Sequence, residues 1–214
     1  SLASLGLIAD VVPLHDENRI LVKAGLNRLK ESPPVGLRTL MEVAEIGADK
    51  ELRSEQIAYK IAPRINAAGR LGCARLVVEM FTTSDLNKAR TLADFLDGEN
   101  KKRQTLEKEM AEQAKELAEN TGAHNKKGIV LFRPDWHPGI VGIVASRMVE
   151  YLGKPTIMLA GLKGTDLASG SGRSIPGFAL NKALQACGDL LISHGGHAMA
   201  AGLKVHIDQI QNFS

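Results

Sequence analysis

Cysteine is nearly absent from this 214-residue sequence, which has only Cys73 and Cys187, far apart. The pair makes neither a metal-ligand spacing nor a disulfide framework, and it fits a reducing cytosol where thiols stay free. No apolar run approaches the roughly 18 residues that spanning a bilayer requires, and no basic-then-apolar leader opens the chain. These absences point to a cytoplasmic protein with no membrane partner. An excess of one charge is also lacking: 27 Lys and Arg stand against 24 Asp and Glu, a net of +3. So small an excess does not establish a nucleic-acid partner, and any electrostatic footprint must come from local clustering. Internal repeats, low-complexity tracts and carboxylate–histidine clusters with metal spacing are missing as well. The remaining composition, 44% hydrophobic and 24% charged, is that of an ordinary globular chain with room for one large core or two small ones.

The two ends are abrupt. Ser1 begins without Met, directly before the apolar run Leu5-Gly6-Leu7-Ile8-Ala9, and Leu203 to Ser214 closes just as suddenly. Residues this apolar need a packing partner, so further sequence is expected on the upstream side. From Glu17 the pattern turns helical, with Ile20, Ala24 and Leu29 at roughly helical spacing before Ser32-Pro33-Pro34. A second helix is predicted from Val35 to Ile46, stopped by Gly47. A short one is predicted from an N-cap at Ser54 to just before Pro63, and another from Cys73 to Phe81.

The clearest element runs from about Asp85 to Asn120, uninterrupted by proline. Leu92, Leu96, Leu106, Met110, Ala114 and Leu117 step along it at intervals near three or four, apart from a polar middle. At about 1.5 Å per residue it would be roughly 50 Å long, either a bridge between lobes or half of an antiparallel pair. After Gly128 the texture changes. Strand candidates at 129–132, 156–159, 167–171 and 203–207 alternate with helical stretches at 139–151 and 178–186. The expectation is an α/β fold class: a helical connector with a long bridging helix over 1–122, then a small α/β domain with a mixed sheet over 123–214.

Four segments carry candidate chemistry. Ser169-Gly170-Ser171-Gly172-Arg173-Ser174 combines glycines, which admit an anion to the backbone, with hydroxyl donors and a guanidinium that can grip phosphate bidentately. The alternative is an ordinary glycine-serine loop. In His194-Gly195-Gly196-His197 the glycines permit a tight turn, and the small residues that follow suit a helix packed on a sheet. His197 would then sit at that helix's N-terminus, where negative charge is favoured. Asp135-Trp136-His137-Pro138-Gly139 lies between a strand and a helix, where α/β sites commonly sit. His137 can hydrogen-bond a phosphate or a base, while Trp136, the sole tryptophan, is a stacking surface or core. Pro63 to Arg70 sets Arg64, Asn66 and Arg70 among small residues, admitting a nucleic-acid backbone or forming a helix–helix junction. Asp10 is a candidate ligand for a hard cation, which needs several carboxylates.

Taken together, these segments resemble the RecJ family of the DHH phosphoesterase superfamily over nearly the whole chain. Leu5 to Leu14 resembles the last motif of the catalytic DHH domain, with Asp10 at its metal-binding aspartate and Leu7 where the family usually has Thr. Pro63 to Gly72, Trp136 to Arg147, Ser169 to Ile175 and Gly195 to Gly202 resemble, in order, the family's P-R-x-N-A-A-G-R-L-G segment and three motifs of its DHH-associated domain.

The resemblance implies a single-strand-specific 5′-to-3′ DNA exonuclease of repair and recombination, using two Mn²⁺ or Mg²⁺ ions to activate water. By that analogy Ser171, Arg173 and Ser174, with His137, Gly195 and Gly196, bind phosphate or DNA. His197 reaches toward the scissile phosphate, and Arg64, Asn66 and Arg70 line the strand's path. The resemblance also places the other metal ligands upstream of Ser1 and an oligonucleotide-binding barrel downstream of Ser214, so this chain alone is expected to cleave little. Single-stranded DNA is the implied partner, with a single-strand-binding protein or a helicase as candidate protein partners. The alternatives are a DHH-family phosphodiesterase of short RNA or cyclic dinucleotides, an editing module of the alanyl-tRNA type, and a non-catalytic nucleic-acid-binding module.

Overall fold

The computed structural model describes residues 2–47 and 51–214, with His124 by its backbone alone. The chain divides into two compact units, 1–103 and 104–214.

In the first unit, α1 (Leu2–Ala9) buries Leu5 and Ile8, and α2 (Asp16–Glu31) buries Val22, Gly25 and Leu29. Of the stripe expected from spacing, only Leu29 faces inward, and Ile20 stays 69% exposed. Apolar residues lie on two faces of α2, so periodicity identifies the helix without identifying its buried side. The next helix, α3 (Val35–Val43), stops short of Ile46 because the chain turns left-handed at Glu45, φ 56°.

The helix predicted to end before Pro63 instead continues through it. The short α4 (Ser54–Gln56), capped by Arg53 rather than Ser54, runs into a π-turn, Ile57–Ile61, and on into α5 (Ala62–Arg70). A proline lacks an N–H and its ring collides with the carbonyl four residues back. The wider π-turn, closed by the Ala62 N–H donating to the Ile57 carbonyl, relieves that collision. Helix α6 (Ala74–Thr82) follows and packs against α3. Leu29, Leu37, Leu40, Ile57, Ile61, Met80 and Leu96 form the fully buried centre of this unit.

The long helix α7 (Leu86–Asn120) begins where the Asp85 carboxylate accepts the N–H groups of Asn87 and Lys88. The division between the two compact units falls inside it. Its C-terminal half belongs with the α/β unit, where Glu107, Gln113 and Glu119 engage Arg147, Trp136 and Tyr151.

The second unit is built from β1 (Ile129–Arg133), α8 (Val141–Leu152), β2 (Thr156–Gly161), β3 (Leu167–Arg173), α9 (Leu180–Ala186), β4 (Ser193–Gly196), β5 (Ala200–His206) and α10 (Ile210–Phe213). The strands form one sheet in the order β1-β2-β3-β5-β4; β1 and β2 are parallel and the remaining pairs antiparallel, the mixed sheet expected. One face carries Ile157, Leu159, Leu203 and Val205 beneath Leu180 and Leu184 of α9. Helix α8 covers β2 and β3.

One expectation is met and one is corrected. The strand candidate at 167–171 is β3, which runs on to Arg173, so the glycine-serine segment is strand and not an ordinary loop. Its glycines take the core-facing positions: a Cβ at Gly170 would lie 2.4 Å from Leu159 Cδ2, and one at Gly172 would lie 2.7 Å from Leu180 Cδ2. The period-two alternation therefore turns Ser169, Ser171 and Arg173 to the other face. The correction concerns the paired glycines, which lie in strand β4, and the small residues after them, which enter β5 and not a helix. Ala201 and Leu203 alternate with the exposed Gly202 and Lys204, a strand period that the run of small residues obscures.

Candidate functional site

In the α/β unit, Arg173 folds back along its own strand. Its Nη1 donates to Ser171 Oγ and to the Gly172 carbonyl, each at 2.8 Å. With its oxygen accepting from the arginine, the Ser171 hydroxyl keeps its own proton to give to an anion. Both side chains face the first turn of α8, where a Cβ on Gly142 would lie 3.0 Å from Ser171 Oγ and 3.1 Å from Arg173 Nη2.

Ser171 pairs across the sheet with Gly202, and Gly202 with Gly195. Residues paired in register share a face. The row therefore leads from the hydroxyl over two positions with no side chain, and β4 is exposed along its whole length. Backbone can be approached closely there, as a sugar-phosphate chain requires.

His197 stands exposed at the tip of the β4–β5 hairpin, its N–H donating to the Ala200 carbonyl at 2.8 Å. It is not at a helix N-terminus. Two backbone bonds tie the tip to the segment after β3: Ser174 N–H to the Met199 carbonyl at 3.0 Å, and Leu180 N–H to the Ala198 carbonyl at 2.9 Å. The Ser174 hydroxyl is spent on the Phe178 carbonyl at 2.7 Å, and Ser174 is only 5% exposed. Its place is therefore that of a tether between the Arg173 strand and the His197 hairpin.

His137 is half-buried at the entry to α8, with Nδ1 accepting the Gly139 N–H at 3.1 Å, so its ring proton belongs on Nε2. Trp136 is core: it is 3% exposed and donates Nε1 to Gln113 at 2.8 Å. It offers no stacking surface.

In the helical unit, Asn66 and Arg70 lie one turn apart on the exposed face of α5, with Gly69 beside them, while Ala67 and Ala68 are fully buried. Arg64 points elsewhere. Its Nε and Nη2 meet Asp97, and its Nη1 donates to the Lys60 carbonyl at 2.6 Å. Asp97 was not legible as a functional residue, although it sits in the polar middle of the long helix, which is the one signal pointing to it. Gly142 was missed too; only its place inside Trp136 to Arg147 marked it.

Asp10 is exposed just beyond α1. Among the described residues, no group of three or more His, Cys, Asp or Glu side chains is placed to hold a metal ion. One exposed carboxylate does not fit a two-metal centre, which needs several oxygen ligands per ion.

Comparison with known proteins matches residues 125–214 to the DHHA1 domain family. Along 98% of its length the chain is 39% identical to the single-stranded-DNA-specific exonuclease RecJ of Bacillus subtilis, covering 26% of that protein. It is 41% identical to RecJ of Thermus thermophilus over 95% of the chain and 28% of the relative. It is 37% identical to RecJ of Escherichia coli over 99% of the chain and 38% of the relative. Among solved structures, RecJ from Thermus thermophilus in complex with Mn²⁺ aligns with a TM-score of 0.86 at 39% identity, over 99% of this chain and 31% of that one. The same enzyme with Mg²⁺ aligns at 0.85. An exonuclease RecJ bound to manganese aligns at 0.84, over 51% of its length. The chain thus spans between about a quarter and two-fifths of these curated relatives.

Proposed function

We propose that this chain, which carries a DHHA1 domain and is related along its length to the RecJ proteins, supplies the strand- and phosphate-gripping part of a single-strand-specific 5′-to-3′ DNA exonuclease. The observation that carries the reading is the Ser171–Arg173 pair, internally hydrogen-bonded and held against the first turn of α8, beside a row of positions that lack side chains. A pre-ordered guanidinium and a hydroxyl suit a phosphate group, and the bare backbone beside them suits the chain that leads to it.

In this reading Ser171 and Arg173 bind the terminal phosphate, and Gly195, Gly196 and Gly202 let the strand lie close. His197, held by the tether at Ser174, faces the next phosphate. His137 offers an Nε2 proton, and Asn66 and Arg70 give the helical unit its own polar surface for the strand. Such contacts hold the backbone and read no bases, so little sequence preference is expected. Asp10 joins a metal centre only with ligands from outside the described residues. The chain by itself should therefore bind and not cut. A single-strand-binding protein or a helicase is the partner class, and the cytoplasm the compartment, that such an activity implies.

The test is anisotropy of a labelled 5′-phosphorylated single strand at several salt concentrations, with the chain and with Arg173→Ala. Affinity should fall with salt by a log–log slope of about −0.7 per phosphate contact, and weaken both in the variant and without the 5′-phosphate. Binding that ignores salt, Arg173 and the phosphate would sink the reading. Brisk metal-dependent digestion by the chain alone would sink the division of labour.

A further inference from the structure

Gly142 is a glycine that the fold does not call for. It is the second residue of α8, where alanine would favour the helix more. Its backbone does not need a glycine either: the positive-φ glycines are at 72, 122, 153, 164, 177 and 196, and Gly142 is not among them. Nor would a side chain there strike the main chain of a neighbouring element. The three nearest atoms to a Cβ at 142 are Ser171 Oγ at 3.0 Å, Arg173 Nη2 at 3.1 Å and Ser171 Cβ at 3.4 Å. The space kept open by the missing methyl belongs to these two side chains.

We propose that Gly142 is a positioning residue for the phosphate grip, its bare Cα leaving the space in which the Ser171 hydroxyl and the Arg173 guanidinium are held in register. The proposal rests on the phosphate reading of that pair. Arg173 is pinned on one side by Ser171 Oγ and the Gly172 carbonyl. A methyl at 142 pushes from the other side, by a few tenths of an ångström, on the nitrogen that faces α8. A guanidinium binds an anion through a fork of fixed geometry, so a small displacement of one prong is enough to lose a bond. Gly142 thus sacrifices helix propensity to the site.

The experiment compares the chain with Gly142→Ala in three readouts. Thermal unfolding is followed by the fluorescence of Trp136, which lies in the same unit. Anisotropy compares matched 5′-phosphate and 5′-hydroxyl single strands. The Arg173 Nε–H resonance is followed without ligand, assigned through Arg173→Lys. The expected result is an unfolding temperature equal to or above the parent's and a displaced Arg173 resonance. The advantage of the 5′-phosphate strand should shrink about tenfold, with binding of the 5′-hydroxyl strand unchanged. A variant that keeps the phosphate advantage overturns the proposal while leaving the phosphate reading intact. A marked fall in unfolding temperature also overturns it, because the glycine would then serve the fold. If the parent shows no phosphate advantage, the phosphate reading fails and the proposal falls with it.

Discussion

Arg64 and Asp97, thirty-three positions apart, meet through both Nε and Nη2 of the guanidinium on a single carboxylate oxygen, Oδ1, at 2.9 and 2.8 Å. The other oxygen, Oδ2, takes Lys101 at 2.8 Å. With Nη1 on the Lys60 carbonyl, all three nitrogens of Arg64 are engaged inside the helical unit. This arginine braces α5 on α7, and the exposed side of α5 is the one bearing Asn66 and Arg70.

The brace has a pH dependence. Burial pushes the Asp97 carboxyl up, but the hydrogen bond from Lys101 and the charge of Arg64 outweigh it and hold the group below its ordinary value near 3.8. A depressed carboxyl stabilises the fold above its unfolded-state value, and that stability is lost as pH falls through the folded value. Asp97→Asn should therefore cost about 1–2 kcal/mol at pH 7. The gap to the parent should close as pH falls below 3.8. Urea titrations between pH 7 and pH 3 check this, and a gap of constant size would mean that the ionised carboxylate is not its source.

Two helix glycines should respond oppositely to alanine. A Cβ at Gly36 would lie 1.8 Å from the Met80 carbonyl oxygen, so Gly36→Ala must force α3 and α6 apart, costing about 3 kcal/mol or more. Gly98, inside α7, has nothing within 4 Å of its Cβ position. Gly98→Ala should stabilise by roughly 0.5–1 kcal/mol through helix propensity. Chemical denaturation of the two variants decides both signs.

The adjacent glycines of β4 separate fold from function. Gly196 has φ 139°, and a Cβ there would lie 2.5 Å from the Ala200 carbonyl oxygen. Gly196→Ala should disorder the hairpin tip, seen as lost amide protection around His197. Gly195 has open space at its Cβ position. Gly195→Ala should leave unfolding unchanged yet weaken single-strand binding several-fold, since the methyl stands on the bare row. Equal binding by Gly195→Ala and the parent would remove that row from the interface.

Trp136, almost fully buried and bonded to Gln113, should report folding and not binding. Saturating single strand should leave its emission unquenched, and Trp136→Phe should cost about 1 kcal/mol or more by leaving Gln113 unpaired without changing strand affinity. Strong quenching on binding would show that the indole is reached after all.

Strands β1 and β2 and helices α7 and α8 were legible because their apolar runs are long and their formers strong. Strand β3 was placed at 167–171, but the loop-like composition of Ser169 to Arg173 hid which of its faces is buried; that shows once Leu159, Leu180 and Leu203 are seen filling the space over the glycines. The motif order located Ser171, Arg173 and His197 in one unit, yet Ser174 could not be told from a ligand, because burial decides what its hydroxyl does. Asp97 was hidden for the reason that hides most braces: its partner is far along the chain and nothing local distinguishes it from a solvated acid.

The turn before Pro63 reaches further than its own strain. A π-turn holds one residue more than an α-turn, and each residue of helix advances the direction of a side chain by about 100°. The extra residue therefore shifts the phase of everything after it: the face that Ile57 and Ile61 present to the core is continued in α5 by Ala67 and Ala68. Deleting one residue between 57 and 61 would make the helix more regular and dial Asn66 and Arg70 away from solvent. The irregular turn acts as the angular setting of that face, and the proline as the stop that keeps it there.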